Sequence, residues 1–305
     1  MWTTSALVFQ QMLLMIFLAG IGYTLAKKNM VNVEGARQFS NLLLNACTPA
    51  IIIAPFNIAY STPLLVNIGL MFGLSLAGIA VGVILVNLFL KKYSGQEKFA
   101  AIFSNSGFIG VPIVRALMGE NALIYLSVFV VCFNLVSWTY GLTLLNGKPT
   151  SRSFRSFISN PVIVSSIIAL CLFLSPFTLS GALGQTLNMV RDANTFLAML
   201  VLGIHVTKAD WRSVLIKPSS SIILFFRLLL IPGIVMVLLK FVPQQIVIMK
   251  EVVLIAVSAP IAMTLSLFSQ VHHKDFYYSS ALVGLSTLMS VITIPIMLLI
   301  AQSIW

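Results

Sequence analysis

Charge is what this chain has least of. Only seven of its 305 residues are Asp or Glu, and charged residues of both signs make up 8%. With 59% hydrophobic residues and a mean hydropathy of +1.04, the chain holds more apolar surface than a soluble fold of this length can hide. Cysteine is also scarce. Cys47, Cys132 and Cys171 are an odd number far apart, with no Cys-x-x-Cys spacing, which excludes a disulfide framework and a cysteine metal site. The three histidines, His205, His272 and His273, have no zinc-ligand spacing and fall at span ends, where solvation is expected. His-Glu-x-x-His, Gly-x-Ser-x-Gly, paired intramembrane aspartates and a Walker motif are all missing, so neither enzyme chemistry nor ATP-driven transport is written in this chain. The first apolar run follows Met1–Ser5 without a Lys or Arg, so it reads as a retained helix and not a signal peptide.

Long uncharged runs are present instead. Residues 38–90 carry no charge and are too long for one crossing, so a turn near residues 57–63 must divide them. At roughly 20 residues per crossing, the chain reads as ten spans at 5–25, 36–56, 63–90, 96–117, 121–146, 159–175, 182–205, 216–240, 247–270 and 276–303. The net charge of +11 fits this topology and needs no nucleic-acid partner. Thirteen of the 18 basic residues sit in loops after the odd-numbered spans: Lys27, Lys28, Arg37, Lys91, Lys92, Lys98, Lys148, Arg152, Arg155, Lys208, Arg212, Lys217 and Lys274. By the positive-inside rule that side is cytoplasmic, and both termini are expected outside the plasma membrane. Trp2, Trp211 and Trp305 suit interfacial anchoring, and Trp138, mid-span, suits packing.

One stretch does not read as an ordinary membrane helix: Ser104-Asn105-Ser106-Gly107-Phe108-Ile109-Gly110-Val111-Pro112. Two glycines and a proline within six residues weaken helical bonding, and a break at membrane depth survives only beside protein or water. The ninth span carries a milder counterpart at Ser258-Ala259-Pro260. Pro112 and Pro260 are 148 residues apart, and a basic linker at 148–158 separates a five-span half at 1–147 from another at 159–305. An odd number of spans per half makes the second half inverted, the architecture of many secondary transporters. Each proline is expected in the first turn of an outgoing half-helix, with Ser258 capping free amides. Two such N-termini converging at the midplane favour an anion; two proline kinks used for packing are the plain alternative.

The motif around Gly107–Pro112, followed by Gly119-Glu120, resembles the auxin efflux carrier family. Ser258-Ala259-Pro260, Ser286-Thr287-Leu288-Met289-Ser290 and Ile294-Pro295 carry the same resemblance, which covers nearly the whole chain in the manner of a compact bacterial-type member. It implies an all-α integral membrane fold of about ten helices in two inverted five-helix repeats, with broken helices 4 and 9 crossing at their prolines. It also implies a scaffold domain and a transport domain, with span 2 in the latter beside the crossover. The implied substrate is a small organic anion, such as malate, malonate or an auxin-like acid.

The substrate-site candidates are Asn105, Gly107, Gly110, Val111, Pro112, Ser258, Ala259 and Pro260 at the crossover, with Asn45, Cys47 and Thr48 from span 2. Asn134 and Ser286, 152 residues apart, complete the set, although ordinary interhelical bonding explains them as well. Asp192 is the one acidic residue well inside a span, which makes it a proton or sodium coupling candidate or half of a structural ion pair. Arg191 beside it points about 100° away on a helix and is not expected to pair with it. Arg115 either faces the cavity or snorkels outward, and Arg227, near mid-span, needs a partner, for which Asp192 is a candidate. Gly78-x-x-x-Gly82 fits close helix packing. No cofactor and no metal is expected, with H+ or Na+ as candidate coupling ions. Partners are the organic anion and the lipid bilayer, and a homodimer is a candidate assembly. An anion channel of the same fold is the competing reading.

Overall fold

The computed structural model describes residues 2–147 and 160–305, so the linker at 148–158 lies outside the described residues. The described chain is helical throughout, and seven of its helices are long and apolar enough to cross a membrane. Ten spans result once the interrupted ones are assembled. They are α1 (Trp2–Lys27), α2 (Glu34–Phe56), α3 (Thr62–Phe89), α4a and α4b (Gly95–Ile102 and Ser106–Met118) and α5 (Glu120–Asn146). The second half adds α6 (Pro161–Leu174), α7 (Gly181–Val206), α8 (Pro218–Leu239), α9a and α9b (Val247–Ser258 and Thr264–Val271) and α10 (Phe276–Ile304).

Polar loop residues start these helices. Asn32, Ser61, Ser94, Asn160 and Asp275 each accept a bond from an amide in the following first turn, satisfying donors that the helix cannot, and Asp210 does the same for a short loop helix, Trp211–Ile216. Ser94 and Glu97 form a reciprocal capping box at the start of α4a. Gly119, at φ +80°, ends α4b in a conformation that side chains rarely adopt, and turns the chain directly into Glu120.

The described loops after α1, α3, α7 and α9 gather on one basic face. Gln96 at the start of α4a donates to the Asp275 carbonyl (2.7 Å), the Asp210 amide donates to the Tyr277 carbonyl (3.1 Å), and Lys27 and Lys208 line one groove. On the other face Asn57 exchanges two bonds with the backbone of Leu179, joining the turn after α2 to that after α6. The turn expected near residues 57–63 is therefore present.

Two packing groups divide the spans. The first consists of α1, α2, α6 and α7; the second of α3, α4, α5, α8, α9 and α10. Span 2 accordingly packs chiefly on α6 and α7, and not within the crossover group where the resemblance places it. Between the helices of the first group, α1 and α7 approach closely. A methyl group added at Gly22 would collide with the Leu200 backbone, and one at Gly203 with the Ala19 backbone. Small residues let membrane helices approach in this way. Gly78 and Gly82 make looser contact, with side chains of α9a and α8.

Candidate functional site

The two broken spans cross. Ser104 and Ile261 form an antiparallel bridge, flanked by two hydrogen bonds: Asn105 N–H to Pro260 C=O (2.7 Å) and Ala262 N–H to Phe103 C=O (2.9 Å). Two short extended segments thus satisfy each other's backbone at membrane depth, and the Ile261 amide is taken by Ser286 Oγ at 3.1 Å. The crossing relates Ser104 to Ile261, an offset of 157 residues, whereas the two prolines are 148 apart.

The interruption itself differs from the expected one. The chain breaks at 103–105, upstream of the glycines, and Pro112 lies inside α4b and not in its first turn. Gly107 and Gly110 are helical and face Val130 and Leu126 of α5; at Gly110 an added methyl would come within 3.2 Å of Leu126, so there the missing side chain allows the close packing. Pro260 falls in the non-helical segment between α9a and α9b. Ser258 ends α9a, and its buried hydroxyl has no hydrogen-bond partner among the described residues, so the expected cap is not formed there.

Three π-type turns surround the crossing: Leu43–Cys47 in α2, Ser137–Gly141 in α5 and Phe226–Leu230 in α8. Sequence reasoning missed them, although prolines mark two. Pro49 and Pro232 lack the N–H that would reach back four residues, so the preceding turn widens.

Beside the crossing is a cavity of about 30 Å³, bounded by Leu44, Thr48 and Ile51 of α2, Ser104, Asn105, Gly107 and Phe108 of α4, Val130, Phe133 and Asn134 of α5, and Ala262 to Thr264 of α9. Three buried polar atoms on this wall have no hydrogen-bond partner among the described residues: Asn105 Nδ2, Thr48 Oγ1 and Thr264 Oγ1. Two helices begin here, at Ser106 and Thr264, so their first-turn amides and the positive ends of their dipoles meet the same space. Asn134 spends its Nδ2 on the Val130 carbonyl (2.8 Å). Of the remaining candidates, Asn45 is exposed and bonds Asn41, Ser286 supports backbone, and Gly110, Val111, Pro112, Ala259, Pro260 and Cys47 do not line the cavity.

A larger cavity of about 290 Å³ opens at the basic face, between Arg37, Asn160 and His272. Leu44 lines both cavities, so the vestibule and the crossing share a wall.

The charged candidates occupy two places. Arg115, Glu120, Arg191 and Asp192 close a ring. Arg115 reaches Asp192 at 2.7 Å and Glu120 at 2.9 Å, and Arg191 reaches Asp192 at 3.0 Å and Glu120 at 3.1 Å. The Arg115 Nε contact to Glu120 is electrostatic and lacks the direction of a hydrogen bond. Arg191 and Asp192 do pair, because the long guanidinium folds back along the helix surface to a half-exposed carboxylate. Arg227 lies elsewhere, fully buried, and bonds backbone carbonyls of α4a and α9a, not Asp192. His205, expected to be solvated, is 1% exposed and set edge-on against Phe276, with neither ring nitrogen bonded among the described residues.

The family described as Membrane transport protein matches residues 7–157 and 150–298 of this chain. The chain belongs to this auxin efflux carrier-like family. It is also 23% identical over 235 residues to "Uncharacterized transporter YfdV" of Escherichia coli (strain K12), covering 70% of this chain and 72% of that one. The proteins of the same name from Escherichia coli O157:H7 and Shigella flexneri match over the same extent. The family, the apolar spans and the crossed broken helices agree on a multi-pass membrane transporter.

Proposed function

We propose that this transporter is a secondary carrier for a small organic anion, a mono- or dicarboxylate such as malate, malonate or an auxin-like acid. The observation that carries this reading is the set of unpaired donors on Asn105, Thr48 and Thr264, collected where α4b and α9b both begin. Buried donors without acceptors are costly, and a carboxylate entering between two helix N-termini would satisfy them. Phe108 and Phe133 offer an apolar wall for the remainder of the substrate.

The cavity of about 30 Å³ has room for a water or two and none for a dicarboxylate. Loading therefore requires the two helix groups to part. The vestibule beyond Leu44 supports access from the basic face, which the positive-inside rule makes cytoplasmic, with both termini outside the plasma membrane. Asp192 meets the end of α4b about 16 Å from the Gly181 end of α7, at 1.5 Å per residue. That offset between the groups supports an elevator-like or rocking movement of α3–α5 and α8–α10, the two inverted halves at 1–147 and 159–305 supplying equivalent parts.

Counterflow of radiolabelled malonate and malate into proteoliposomes tests this reading. Asn105→Ala should lower saturable flux by about 10- to 100-fold, the worth of a hydrogen bond to a charged group, with normal membrane insertion. Wild-type flux in that variant removes Asn105 from the site, and ohmic single-channel current from the wild type overturns the carrier reading.

A further inference from the structure

Arg227 is the largest fully buried side chain of the molecule's described residues, at 1% exposure, and no carboxylate lies within ion-pair distance of it among them. Its guanidinium is held by carbonyl oxygens alone. Nη1 donates to Ile102 at 2.6 Å and more weakly to Ala101 at 3.4 Å, and Nη2 donates to Val257. These oxygens belong to the last turns of α4a and α9a, the two half-helices that run into the crossing. Both ends present negative dipole character and carbonyls that no following amide takes. In broken-helix transporters, oxygens of this kind are what coordinate alkali cations. The π-type turn Phe226–Leu230 carries Arg227 into their midst, and the residue does not line the anion-facing cavity. The crossing is thus polarised: helix beginnings meet the cavity, and helix ends meet Arg227.

We propose that Arg227 is a built-in cation, its guanidinium filling the oxygen cage between the ends of α4a and α9a that a monovalent metal ion would otherwise occupy. The crossing is then assembled without bound sodium. A guanidinium stays charged at any physiological pH and is tethered to α8, so its positive charge remains through every cycle. A metal ion entering the same cage would meet that charge at close range in a poorly screened interior, which excludes it. The inference deepens the carrier reading, and rests on it only for flux: transport would not require sodium at this position.

The test uses the purified full chain in detergent, without any carboxylate, in NaCl, LiCl, KCl and choline chloride at equal ionic strength. Wild-type thermal unfolding should be the same in all four. Arg227→Met keeps an unbranched stem of similar reach up to Nε, removes the guanidinium with its charge and empties the cage. Its midpoint should fall, and Na+ or Li+ should restore roughly 2–4 °C of the loss relative to choline. Arg227→Lys keeps the charge with fewer donors, and should be less stable than wild type without selectivity among the salts. Selective stabilisation of the wild type by Na+ overturns the proposal. So does an Arg227→Met protein that folds but unfolds at the same midpoint in all four salts, or an Arg227→Lys protein that gains sodium selectivity. If Arg227→Met fails to fold in every salt, the wild-type and Arg227→Lys arms decide alone. In a separate melt with malonate and malate added, unchanged unfolding would count against the carrier reading and leave this one standing.

Discussion

Arg227 and Arg115 belong to the same packing group of a membrane protein, yet they settle their charge by opposite means. Arg115 uses carboxylates. With Arg191, Glu120 and Asp192 it forms a ring of two positive and two negative groups whose acids are about half exposed. Arg227 uses the backbone. Its partners are neutral carbonyls, made acceptors by their position at helix ends, and it is sealed from solvent. Exposed ion pairs contribute little each because water competes for both partners. A buried cation has no such fallback, so everything that holds it must be in place. The first region is therefore an adjustable contact between the two groups of helices, linking α4b and the α5 start to α7. The second is part of the structure that makes the crossing.

Substitutions sharpen this contrast. The largest effect is expected from Arg227→Ala, which leaves carbonyls of two half-helices unpaired and removes the residue that joins them. A loss of about 3–5 kcal/mol, the cost of breaking a buried charge arrangement, should appear as a collapse of the thermal midpoint or of folded yield. A midpoint near wild type would end the idea that the crossing depends on Arg227. Asp192→Asn should cost less, about 1 kcal/mol, and the loss should shrink as salt screens the wild-type ring. Unfolding measured at low and high NaCl checks this, and a loss indifferent to salt would mean that the ring is not electrostatic. Smallest is Arg115→Lys, about 0.5 kcal/mol, because an ammonium cannot serve two carboxylates as a planar fork does. The double change Arg115→Lys with Asp192→Asn should cost less than the separate losses together, and strict additivity would show that the two residues do not interact.

How much was legible in the sequence differs between these regions. The spans and the gathering of basic loops on one face follow from hydropathy and charge, which act on each segment separately. The crossover was legible from Gly107, Gly110 and Pro112, but its register was not. Gly110 in α4b serves close packing on α5, and Pro112 is tolerated inside the helix, while the chain opens at 103–105 because Pro260 and Ala262 offer replacement backbone bonds. Those replacements come from a segment more than 150 residues away, beyond any local pattern. Thr48 was legible as a polar residue in an apolar span, whereas Thr264 was missed because nothing nearby marks it as the start of a half-helix.

By itself, then, the sequence determined a multi-pass helical membrane protein, its basic face and the two spans that break, since lipid imposes its conditions on each helix alone. Only the tertiary structure decided where the breaks lie, which donors remain unpaired around the cavity, that Arg191 folds back onto Asp192, and that Arg227 answers two helix ends. These depend on which backbone groups meet across the bundle, and a chain read residue by residue does not contain that pairing.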